Sequence, residues 1–151
     1  SDRRANGRRD ARGDAVTYRE TAKVLADRAR TGFTDLQVWP DPNANVTLAA
    51  AGGVRLDFSA GPEVQMGTSG VSDAYFSGLL SMVASILVPL GTGQGPIWGY
   101  VDQFCALFRG WASSDLVVRS VRPEEVGPTG SLYQVNVIVT VEKWTQTARA
   151  V

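Results

Sequence analysis

The chain has 151 residues, 44% of them hydrophobic and 20% charged, with 15 basic side chains against 15 acidic ones and no histidine. That length can bury a real core as one domain, while the even charge denies the chain as a whole any pull on nucleic acid. Lacking histidine, it has no access to the commonest general base, to the serine and cysteine triads that use it, or to most zinc sites.

Residues 1–15, "SDRRANGRRDARGDA", have no periodicity and almost no apolar content. They predict a flexible basic arm ahead of a single domain over 16–151. The first 13 residues carry Arg3, Arg4, Arg8, Arg9 and Arg12 against Asp2 and Asp10, 5 − 2 = +3, which leaves 10 − 13 = −3 for the remainder. These five arginines are the chain's best candidates for touching nucleic acid, although a solvated or partner-bound tail is the plainer reading. The "RGD" at 12–14 is read as chance. No signal-peptide run appears over 1–14.

"TYRE" at 17–20 is a capping box, with Thr17 as N-cap and Glu20 three residues on. Tyr18, Ala22, Leu25 and Ala29 then share a helical face that ends near Gly32. A short strand is expected at 36–39, "LQVW", stopped by "PDPN". A second at 54–58, "VRLDF", alternates Val54, Leu56 and Phe58 with Arg55 and Asp57. Residues 59–73, "SAGPEVQMGTSGVSD", hold three glycines and a proline. They predict a long loop, and Pro62, Glu63, Gln65 and Met66 within it are candidate contacts to a neighbouring subunit.

Residues 75–90, "YFSGLLSMVASILVPL", are ambiguous. Ser77, Ser81 and Ser85 recur at helical spacing, whereas Phe76, Leu80, Met82, Ala84, Ile86 and Val88 alternate as in a strand. At 16 residues the run falls short of the ~20 needed to span a bilayer, so it reads as core and no membrane is expected.

"GTGQGPIWGY" at 91–100 raises the question of a phosphate cradle. A dinucleotide fingerprint needs a third glycine where Pro96 stands, and a P-loop needs Lys-Ser/Thr where this chain has Pro-Ile. Proline also removes a backbone donor that would hold an anion. The turn therefore redirects the chain into a helix with Pro96 at its first position and Ile97, Val101, Phe104, Leu107 and Phe108 on one face.

A strand follows at 116–122, then a turn through "PEEVGPTGS". "LYQVNVIVTVEKW" at 132–144 alternates Tyr133, Val135, Val137, Val139 and Val141 with Gln134, Asn136, Thr140 and Glu142. One face is buried; the other is wet or covered by a partner. Gln134 and Asn136 are further interface candidates.

No constellation suggests chemistry. Asp102 and the Glu124–Glu125 pair lack a partner base. The single cysteine, Cys105, forbids an intrachain disulfide, suits a reducing compartment or a partner-rich assembly, and is expected to pack. Trp39, Trp98, Trp111 and Trp144 lack the interleaved basic residues of a base-stacking platform. No catalytic residue, metal ligand or cofactor is expected.

"ILVPLGTGQGPIWGYVDQFCALFRG" followed by "VRSVRPEEVGPTGSLYQVNVIVTVEKW" resembles the tail terminator proteins of long-tailed bacteriophages. "YRETAKVLADR" is similar to their opening helix. The resemblance spans about residues 16–144 and rests on structural motifs; the arm departs from it. It implies that 75–90 is a strand. The fold it implies is α/β (α+β), with two helices packed on a mixed, largely antiparallel sheet of about five strands in the order α-β-β-β-α-β-β.

The implied function is a virion structural protein. It would form a homo-hexameric ring that caps the tail tube, joins it to the neck or head-completion protein, and lets DNA pass without specific binding. Assembly would take place in the host cytoplasm. Alternatives are another neck or tail-tube component, or a small nucleotide-binding enzyme using the 91–96 turn.

Overall fold

In the computed structural model, which describes residues 17–39, 52–69, 73–113 and 115–148, the chain is an α+β domain. The described elements are α1 (Tyr18–Gly32), β1 (Val38–Trp39), β2 (Gly53–Ser69), β3 (Asp73–Pro89), α2 (Gln94–Phe108), β4 (Ala112–Ser113), β5 (Leu116–Thr129) and β6 (Leu132–Ala148). They form one six-stranded sheet in the order β1-β2-β3-β6-β5-β4. Only β1 and β2 run parallel, so the sheet is mixed and largely antiparallel, as the resemblance implied.

The capping box at Thr17 is formed: its hydroxyl accepts from the Glu20 amide, and the Glu20 carboxylate accepts from the Thr17 amide at 3.1 Å. Thr21, Leu25, Ala26 and Ala29 face inward from α1. Ile97, Val101, Phe104, Cys105 and Phe108 face inward from α2. Cys105 thus packs as expected, and burial followed by the nearby Asp102 raises its thiol pKa. The helices meet where Arg28 Nε donates to the Leu107 carbonyl at 2.7 Å, with the guanidinium 4.7 Å from the Trp111 ring centre. That bond satisfies one of the free carbonyls in the last turn of α2.

Of residues 75–90, all but Leu90 are strand, within β3. In β3, Leu80, Met82, Ala84, Ile86 and Val88 point into the core against Val141, Val139, Val137, Val135 and Tyr133 of β6. From β2, Val54, Leu56 and Phe58 complete this face.

Three expectations are corrected. Residues 59–73 are not a long loop: β2 continues to Ser69 and pairs with β3 as far as Ser69↔Asp73. Bulges between Ala60 and Glu63 and between Gln65 and Gly67 absorb the glycine and proline that read as a loop. Residues 123–129 likewise belong to β5, leaving a turn of only Gly130 and Ser131. Pro123 is tolerated there because β4 pairs only with Leu116 and Val117, so the rest of β5 has no strand beyond it among the described residues. Finally, α2 starts at Gln94, which puts Pro96 at the third helical position, still inside the turn whose amides lack intrahelical acceptors.

Candidate functional site

The antiparallel registers put Arg55, Asp57, Ser81, Val83, Ser85, Leu87, Gln134, Asn136, Ile138, Thr140, Glu142, Arg122 and Glu124 on the sheet face away from the core, with Ser85 and Leu87 buried there. Neither described helix covers this face. It is laced by side-chain bonds. Gln134 Nε2 donates to Asn136 Oδ1 at 2.8 Å, and the Ser81 and Thr140 hydroxyls lie 3.3 Å apart. Glu142 accepts from Ser77 and pairs with Arg119, whose guanidinium lies 5.8 Å from the Trp144 ring centre. The Ser77 bond, with Arg119 behind it, holds the Glu142 carboxyl below the usual glutamate range. With Arg119 included, three arginines (55, 119 and 122) balance three carboxylates (57, 124 and 142) across these residues, two of them as the ion pairs Arg119–Glu142 and Arg122–Glu124.

Past the end of the helices, β2, β3 and β6 run on together as a three-stranded ribbon over residues 61–69, 73–79 and 142–148. Its base is clamped to α1. Glu63, Gly78 and Lys143 form one row across the three strands. Over Gly78 the Lys143 ammonium reaches Glu63 at 3.4 Å, Tyr18 Oη donates to the same carboxylate at 2.7 Å, and the ammonium sits 4.1 Å from the Tyr18 ring centre. Lys143 is only 2% exposed. The Tyr18 hydrogen bond, reinforced by Lys143, lowers the Glu63 pKa; burial and Glu63 push that of Tyr18 up to about 12.

The sequence candidates therefore separate. Pro62, Gln65 and Met66 are exposed on the ribbon, whereas Glu63 is spent in the internal clamp. Gln134 and Asn136 share the helix-free face but are half-buried and bonded to each other. Arg3, Arg4, Arg8, Arg9 and Arg12 lie outside the described residues. Sequence reading missed Tyr18, Gly78 and Lys143 as a unit. No local signal links positions so far apart, and only the strand register brings them into one row.

No described group of three His, Cys, Asp or Glu side chains could hold a metal ion, and no described helix is long and apolar enough to cross a membrane. At the turn into α2, Gly93 is the N-cap with no side-chain bond.

Among known proteins, no family model matches the chain and no curated protein does. Several solved structures match. One is 16% identical, covers 87% of this chain and 92% of its own, and superposes with a TM-score of 0.50. At that identity the likeness concerns the fold alone.

Proposed function

We propose that this chain is a virion structural protein, a tail terminator whose copies close into a hexameric ring at the head–tail junction of a long-tailed phage. The observation that carries the reading is the one-sided sheet. Helices cover one face; the other is largely polar with Val83, Leu87 and Ile138 among its residues, is charge-balanced, and is extended by a ribbon beyond the body. Such a domain presents unlike patches on different sides, and head-to-tail contacts between unlike patches close into rings when the rotation fits. The sequence resemblance supplies the sixfold closure, the tail tube and the neck protein as neighbours, and the virion as location.

The helix-free face is suited to the channel wall. DNA sliding past it would meet hydroxyls, amides, balanced charges and a few aliphatic side chains, without the excess of cations that would bind phosphate and add drag. An enzymatic reading would rest on the turn into α2, where Pro96 removes one of the free amides that an anion would need.

Negative-stain imaging of the purified chain, alone and with tail tubes, tests the proposal. Sixfold rings with a central hole are expected in at least one case. A closed twofold dimer inside the assembled particle would sink it, as would saturable magnesium-dependent nucleotide binding with turnover.

A further inference from the structure

Two apolar features sit at opposite ends of the β3–β6 pair. At the ribbon end, Val64 is 55% and Met66 63% exposed. Met66 is the extra residue of the second bulge, between the pairs Gln65↔Phe76 and Gly67↔Tyr75. Bulges re-aim side chains away from the regular pleat. An unbranched thioether on such a site can adapt to the surface it meets.

At the other end a notch of about 260 Å³ opens between the turn leaving β3 and the hairpin joining β5 to β6. Pro89, Leu90, Gly91, Gly93, Gln94 and Tyr133 line it. The Leu90 amide donates to the Ser131 carbonyl at 3.1 Å, which ties the two turns together. Leu90 is 48% exposed, and on β5 Val126 is 49% exposed. A Cβ added at Gly91 or Gly93 would meet nothing within 4 Å, so the glycines leave the mouth open. From Ser77 to Pro89 the two features are ~40 Å apart at the usual strand rise, too far to satisfy each other within one molecule.

We infer that Val64 and Met66 of one copy seat in the Leu90–Tyr133 notch of the next, a head-to-tail contact between copies of this chain. The inference deepens the ring reading and takes from it only that a second copy is the occupant. Three strands ~4.8 Å apart over about eight residues present ~380 Å² on the face turned away from α1, about half of the ~800 Å² each partner gives to a standard interface, so the knob and notch form one part of a larger contact between copies. Charge is also consistent. The Glu63 carboxylate beside the knob is already matched by Lys143, and none of the six residues lining the notch is charged. A single-layer ribbon past the helical cover gains most from such a seat, because a sheet needs a layer against it.

A complementation experiment tests the contact. Met66→Glu removes the knob but keeps the notch; Leu90→Glu does the reverse. Both positions are exposed, and circular dichroism melts verify that each variant folds. Sedimentation velocity is expected to find each variant at least ~10-fold weaker in self-association than wild type, while an equimolar mixture forms one-to-one dimers through the intact knob and intact notch. Wild-type rings that persist in both variants would overturn the contact and leave the ring reading standing. Open chains abolished by Met66→Glu would uphold the contact and overturn the ring. Undiminished dimers of Leu90→Glu alone would replace it with a symmetric knob-to-knob contact. A wild type that stays monomeric at every concentration would also overturn it.

Discussion

Lys143 shows how much one buried charge demands of its surroundings. Its ammonium lies on the core side of β6, held by the Glu63 carboxylate and the face of Tyr18. Gly78 matters because a Cβ there would lie 3.0 Å from both Glu63 Cγ and Tyr18 Oη. Glu63→Ala is therefore expected to cost about 1–3 kcal/mol, and Gly78→Ala about 1–2 kcal/mol. Lys143→Met, which removes the charge but keeps the length, should cost less than Glu63→Ala. Urea unfolding of the three variants checks the order.

The same residues shape the pH dependence. Glu63 has a depressed folded pKa, so its contribution is present above the unfolded value and is lost as pH falls through the folded one. Asp27, bonded chiefly to Lys23, and Glu142 act in the same sense. Tyr18 has a raised folded pKa, so its contribution is complete below about 10 and disappears as pH rises through about 12. Glu63→Gln should flatten the acid limb of a stability profile, leaving what Asp27 and Glu142 contribute. Tyr18→Phe should flatten the alkaline limb between about 10 and 12.

Among the elements, the turn into α2 separates two glycines that look alike in sequence. Gly93 has φ 90° and ψ 163°, backbone that is almost exclusive to glycine. Gly95 lies inside the first turn of α2 with open space around it and no positive φ. Gly93→Ala should cost about 1–3 kcal/mol; Gly95→Ala should stabilise by about 0.5 kcal/mol, since alanine restricts the unfolded chain. Thermal melts of the pair decide whether the turn's role is conformational.

The ribbon is the other informative element. Val64 and Ser77 are directly paired, so replacing residues 65–76 with Asn-Gly would close the hairpin on that pair by a two-residue turn. The clamp residues and the core remain. A folded protein defective in self-association is expected, read by circular dichroism and sedimentation. Normal association would make the distal ribbon decoration.

At the scale of the whole molecule, charge is unevenly distributed along the chain. The first 13 residues carry +3 and the rest −3, while the helix-free sheet face is balanced. Deleting residues 1–14 should weaken subunit association at low salt, with the difference from the full chain fading as salt rises over the range where the Debye length falls below about 8 Å. Sedimentation across a salt series measures this. Association unchanged at low salt would dismiss a role for the arm in it.

Local chemistry was enough to read the capping box at Thr17, the inward stripe of α2, the alternation of β6 and the packing of Cys105. Each depends on neighbours within a turn or two, or on a period that one buried face imposes. Composition also made the even charge and the missing histidine plain. What local signals could not reveal is where a strand continues without a core to face. Residues 61–69 run past the helices, where neither side of the sheet is selected for apolar residues, so no alternation marks them and the bulges at Pro62 and Met66 look like loop. Pro123 similarly read as a turn, because only the sheet order reveals how short its outer neighbour β4 is. The Glu63–Gly78–Lys143 row and the notch beside Leu90 depend on pairings tens of residues apart. Register decided them, and register is a property of the assembled sheet.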